Sequence, residues 1–86
     1  MYSLDFSNQA KNFLKKLDKQ DLVSVINRLE NLEKNPVPSD SKFIGRDNGE
    51  KIFRYRIGKL RALYKIKEVQ KIVLITKIDK RDKVYD

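Results

Sequence analysis

The sequence predicts an α+β fold: a small antiparallel β-sheet packed against an N-terminal α-helical hairpin, in the order β-α-α-β-β-β. Two observations carry this prediction. Apolar residues recur at helical spacing between residues 10 and 32, and at every second residue from residue 52 onward. Only three glycines and two prolines punctuate the 86 residues, so the elements are closely joined and make a single domain, residues 1–86.

Taken in order, Tyr2, Leu4 and Phe6 alternate with polar residues and predict a short first strand. Ser7 is an N-cap candidate, and Ala10, Phe13, Leu14 and Leu17 follow at helical spacing. Asp18 caps a second helix whose stripe runs through Leu22, Val25, Ile26, Leu29 and Leu32 until Asn35-Pro36 stops it. Two helices with almost no chain between them form an antiparallel hairpin. Pro36 to Lys51 reads as a connecting loop with a brief extended piece at Lys42 to Ile44. Three strands follow, Ile52 to Ile57, Leu60 to Lys67 and Lys71 to Ile78, joined by short turns and therefore antiparallel. Gly58-Lys59, with glycine first, has the signature of a type II′ turn.

A turn at Gly58-Lys59 fixes the pairing by counting: Ile57 faces Leu60, Arg56 faces Arg61, Tyr55 faces Ala62, Arg54 faces Leu63 and Phe53 faces Tyr64. One side of this ribbon is then wholly apolar, with Phe53, Tyr55, Ile57, Leu60, Ala62, Tyr64 and Ile66, and is expected to be the core under the helices. The other side carries Arg54, Arg56, Arg61 and Lys65, with Leu63 among them.

Charge divides the chain unevenly. Met1 to Glu50 holds eight basic and eight acidic side chains, while Lys51 to Asp86 holds twelve basic and four acidic, the whole of the net +8. A field of one sign on one part of a small domain attracts polyanions, which points to nucleic acid. With no cysteine there is neither a disulfide framework nor a cysteine-ligated zinc, and with no histidine any acid–base chemistry must use other side chains. No signal-peptide pattern and no apolar run of about 18 residues is present, so a cytoplasmic protein without a membrane partner is expected.

Arginines on an outer sheet face are ordinarily solvated, their stems covering apolar surface. Three of them clustered with no acidic neighbour on their two strands call for a different counter-charge, and phosphate matches guanidinium donors bidentately. The closing segment, Asp79-Lys80-Arg81-Asp82-Lys83-Val84-Tyr85-Asp86, reads equally as a frayed terminus, and Tyr85 as a core plug. In a chain without histidine, however, a tyrosine beside several cations is the group whose pKa can be drawn down. A magnesium site on Asp79, Asp82 and Asp86 is opposed by the surrounding positive charge, and neither a glycine-rich phosphate loop nor a nucleophile elbow is present. Glu30 and Glu33 fall on the outer face of a helix.

Nearly the whole chain resembles the RelE/ParE toxin superfamily, and within it the RelE-like ribosome-dependent messenger-RNA endonucleases. The resemblance rests on Phe6, Ala10, Leu14 and Leu17, on the Asn-Pro helix end, and above all on the strand pair from Tyr55 to Tyr64 and the closing Arg81 to Tyr85. It implies a type II toxin that cuts messenger RNA in the ribosomal decoding site with no cofactor or metal ion. In that reaction the 2′-hydroxyl attacks the adjacent phosphate and leaves a 2′,3′-cyclic phosphate. The catalytic residues it implies are Arg54, Arg56, Arg61, Arg81 and Tyr85. Lys51, Lys65, Lys80 and Lys83 are expected to add RNA contacts. The partners it implies are a RelB-like antitoxin, the ribosome, and messenger and ribosomal RNA. One departure matters: the family's strand usually carries lysines where this chain has Arg54 and Arg56. Arginine stabilises an anionic transition state but scarcely loses a proton, so Tyr85 becomes the favoured general base. Two rival readings remain, a ParE-like inhibitor of DNA gyrase that cuts nothing and a non-catalytic RNA-binding module.

Overall fold

A computed structural model describes residues 1–80 of the chain. Arg81, Lys83 and Tyr85 lie outside the described residues. The elements are β1 (Ser3–Phe6), α1 (Asn8–Lys15), α2 (Lys19–Lys34), β2 (Ser41–Asp47), β3 (Glu50–Ile57), β4 (Leu60–Lys67) and β5 (Ile72–Lys80).

Both helices start where the sequence supplies a cap. The Ser7 hydroxyl accepts from the Ala10 amide at 3.1 Å, and the Asp18 carboxylate accepts from the Asp21 amide at 2.8 Å. Each satisfies one of the orphan N–H groups of a first turn. The helix stripes bury Ala10, Leu14, Val25, Leu29 and Leu32 against one face of the sheet.

The five strands form one sheet in the order β1-β5-β4-β3-β2. Its central pairings are antiparallel, and β3–β4 has the register that counting from the turn predicts, Arg56 with Arg61 and Phe53 with Tyr64 included. Gly58 takes φ +58°, as the first position of a type II′ turn requires. The sheet differs from the expected one at both edges. β1 pairs with β5 in parallel, Phe6 beside Ile75, so the sheet is mixed. The helical hairpin carries the chain from this edge of the sheet to the opposite one, so the first and last strands become neighbours.

At the far edge, the expected loop contains a full strand, β2, hydrogen-bonded to β3. Its hairpin turns on Asn48-Gly49, both at positive φ (53° and 81°), the pattern of a type I′ turn. A register shift between Phe43 and Gly45 breaks the two-residue period, which is why alternation does not reveal this strand.

The inner face carries the expected core: Phe53, Tyr55, Ile57, Ala62, Tyr64 and Ile66, joined by Val73, Ile75 and Ile78 of β5. Phe53 stacks on its cross-strand neighbour Tyr64 with ring centroids 5.5 Å apart, and Tyr55 meets Tyr64 edge-on at 6.4 Å. Such pairs add about 0.5–1.5 kcal/mol each beyond the area they bury. Both phenols keep a polar partner: Tyr64 donates to the Pro36 carbonyl at 2.6 Å and Tyr55 to the Arg28 carbonyl at 3.3 Å.

Candidate nucleic-acid interface

With the helices on one face, the other face of the sheet presents the outward residues of β3 and β4. The pleat brings Arg54, Arg56 and Arg61 there together. They line one open concavity of about 330 Å³, completed by Ser39, Asp40, Ser41 and Lys42 from the segment entering β2. Lys42 stands directly across from Arg54. Four cations from three adjacent strands therefore share one shallow site.

The three arginines are not equivalent. Arg56 is exposed, whereas Arg61 is only 7% exposed and anchors its guanidinium by donating from Nη1 to the carbonyls of Leu60 (2.9 Å) and Gly58 (3.3 Å). Arg54 is intermediate. Two carboxylates also enter the neighbourhood from outside the β3–β4 ribbon. Asp79 of β5 stands across from Arg61, and Asp40 belongs to the wall of the concavity. The premise that these arginines lack acidic neighbours thus holds for the strands as the sequence predicts them, Ile52 to Ile57 and Leu60 to Lys67. It does not hold for the assembled surface, where β3 itself begins at Glu50, paired with Lys67 at 3.1 Å. Asp40 is itself engaged, accepting from Arg28 Nη2 at 2.5 Å.

The lysines expected to touch RNA divide. Lys65 shares the outer face and pairs with Asp47 at 2.5 Å. Lys51, opposite Ile66, alternates onto the helix-bearing side. Lys80 ends β5 opposite Leu60 and is exposed. Lys42 and the serines at 39 and 41 were not legible as site residues, because only Lys42 to Ile44 read as extended and nothing paired that piece with β3. Asn48-Gly49 was the signal that could have found it.

Among the described tyrosines, Tyr55 and Tyr64 are core residues. Burial pushes the Tyr64 phenol up to about 12, against the lowering effect of the Ser41 hydroxyl. That direction is the reverse of what a general base needs.

The sequence profile describing the ParE toxin of a type II toxin–antitoxin system, parDE, matches residues 4–85. The chain belongs to this family of the RelE/ParE superfamily. Several of the proteins it is similar to carry RelE names. A protein of Methanocaldococcus jannaschii provisionally named toxin RelE1 is 29% identical over 85 residues, covering 98% of this chain and 94% of the relative. The RelE–RelB complex of Pyrococcus horikoshii OT3 contains a chain of the same fold, with a TM-score of 0.83 at 23% identity, covering 96% and 98% of the two chains. The toxin–antitoxin complex RelBE2 of Mycobacterium tuberculosis gives 0.75 at 28%, covering 93% and 98%. This RelE-like chain is thus a toxin of a type II toxin–antitoxin system.

Proposed function

We propose that this RelE-like toxin is a ribosome-dependent messenger-RNA endoribonuclease. The observation that carries the reading is the convergence of Arg54, Arg56 and Arg61 on one concavity of the uncovered sheet face. Guanidinium groups bind phosphate oxygens bidentately and stabilise the charge that grows on them in a transition state. The substrate 2′-oxygen attacks the neighbouring phosphorus and the bond from phosphorus to the 5′-oxygen breaks. The 5′ fragment then ends in a 2′,3′-cyclic phosphate, and the 3′ fragment leaves with its 5′-oxygen, which takes up a proton from solvent to become a hydroxyl. In this reading Tyr85 takes the proton of the 2′-hydroxyl and Arg81 faces the leaving 5′-oxygen, with no metal or cofactor in the step. Lys51, Lys65, Lys80 and Lys83 contribute attraction to RNA backbone. The structures of related toxins with RelB-like antitoxins support a cognate antitoxin that holds this chain inactive, and action on ribosomes places it in the cytoplasm in this reading.

The description of the matched family as ParE toxins favours a second reading, a gyrase inhibitor without nuclease activity. One experiment separates the two. Purified protein is added to ribosomes stalled on a defined message and the cut ends are mapped. Clean 2′,3′-cyclic ends are expected. Intact message, together with DNA damage on expression in cells, would establish the ParE-like activity instead. Salt-sensitive RNA binding without any cut would leave a non-catalytic RNA-binding module.

A further inference from the structure

The wall of the arginine concavity contains a carboxylate, Asp40, whose charge is opposite to what an anion site requires. It is held by Arg28, a residue of α2. A single nitrogen, Arg28 Nη2, donates both to Asp40 Oδ2 at 2.5 Å and to the backbone carbonyl of Arg56 at 2.9 Å. The guanidinium is itself fixed, lying over the Tyr55 ring with 5.3 Å to the centroid, while the Tyr55 hydroxyl donates to the Arg28 carbonyl at 3.3 Å. Arg28 therefore ties three things at one point: α2, the segment that enters β2, and the β3 backbone at Arg56.

We infer that Arg28 is a positioning residue for the anion site, holding the Asp40 carboxylate so that it does not neutralise the neighbouring arginine Arg56. The inference rests on the concavity being an anion site, as proposed above. Asp40 and the Arg56 carbonyl bond the same nitrogen, so the carboxylate is within the two bond lengths of the Arg56 backbone. Released from Arg28, an aspartate that lines the same concavity as the exposed Arg56 competes with phosphate for its guanidinium. Paired with Arg28, its charge is spent on a cation of α2. The same contact orients β3 at Arg56, because the bond is to the main chain of that residue.

The test measures inorganic phosphate binding by the full chain, followed by the amide NMR shifts of Ser41 and Arg56, in four proteins: unaltered, Arg28→Ala, Asp40→Asn and the double variant. Arg28→Ala is expected to weaken phosphate binding about threefold to tenfold, the scale of one partly exposed charge pair at a site. Adding Asp40→Asn is expected to restore it to within about twofold of the unaltered protein. A residue that merely stabilised the fold would give no such rescue, because removing a second partner cannot repair a lost contact. Asp40→Asn alone is expected to bind phosphate at least as tightly as the unaltered chain.

Should Arg28→Ala fail to fold, the Asp40→Asn arm decides alone, and weaker binding there overturns the inference. It is equally overturned by unchanged binding in Arg28→Ala, by a double variant as weak as Arg28→Ala, or by the absence of any saturable shift in the unaltered protein. Cleavage on stalled ribosomes is read in the same four proteins. The expected change is a raised half-saturating concentration with kcat little altered. If the phosphate pattern holds while no protein cuts RNA, the nuclease reading fails and the role of Arg28 stands.

Discussion

The Gln9 side chain closes on the backbone of Ile78 from both sides: its Nε2 donates to the Ile78 carbonyl at 3.1 Å, and its Oε1 accepts from the Ile78 amide at 3.0 Å. This amide stands in for a missing strand. β1 ends at Phe6 beside Ile75, while β5 runs on to Lys80 with its outer edge open. The Ser7 hydroxyl continues the replacement by donating to the Thr76 carbonyl at 2.7 Å. The residues that follow this pinned strand end in sequence are those with Arg81 and Tyr85.

Gln9→Ala removes both bonds and leaves a part-buried N–H and C=O of Ile78 without their partner. The expected loss is about 1–3 kcal/mol of unfolding free energy. Native-state hydrogen exchange at Ile78 should quicken more than at Tyr64 in the middle of the sheet, since the opening is local. Equal protection at Ile78 in both proteins would contradict the assignment.

Arg56 and Arg61 separate binding from stability. Arg56 is exposed, so Arg56→Ala should leave the melting temperature nearly unchanged and lower cleavage by about 10-fold or more, the worth of one charge-assisted phosphate contact. Arg61 is buried and bonded to two carbonyls of its own turn, so Arg61→Ala should lower both cleavage and stability. The burial of Arg61 makes Arg56 the cleaner probe. Denaturant melts beside end-mapping on ribosomes read the two effects.

Tyr85→Phe tests the proposed base with the smallest change. Loss of the hydroxyl should reduce kcat by about 100-fold or more while RNA binding stays within about twofold, as expected for a proton acceptor and not a phosphate ligand. Full activity in this variant would remove Tyr85 from the mechanism.

Alkaline stability should report Tyr64. Its phenol is raised by burial to about 12, from about 10 in an unfolded chain. The folded state therefore keeps its proton where the unfolded state has released it. The stabilisation is complete below about pH 10 and is lost as pH rises through about 12, with an upper scale of about 2–3 kcal/mol. Tyr64→Phe should flatten that alkaline slope and, by leaving the Pro36 carbonyl without its donor, lower stability at pH 7 by about 1 kcal/mol. Urea melts at pH 7 and pH 11 in both proteins check the sign.

Most of the scaffold follows from local rules acting on particular residues. Ser7 and Asp18 are caps because their side-chain oxygens reach the amides three positions on, those of Ala10 and Asp21. Gly58 fixes the turn, and the turn fixes which residues of β3 and β4 share a face, because side chains alternate strictly across a pleated strand. The clustering of Arg54, Arg56 and Arg61 opposite the apolar core was legible for that reason. β2 was legible only as a brief extended piece at Lys42 to Ile44, because the shift between Phe43 and Gly45 erases its period.

Tertiary structure decided what no local rule contains. The parallel seat of β1 on β5 joins residues about seventy positions apart, and it depends on where the helical hairpin sets the chain down. Asp40, Asp79 and Lys42 enter the arginine site from other elements. Arg28, on a helix read only for its apolar stripe, meets Asp40 across the sheet edge. The sequence by itself determined which face would be positive, since that follows from alternation and composition. Only packing decided which carboxylates border that charge and what holds them, since those distances belong to separate elements brought together by burial of a common core.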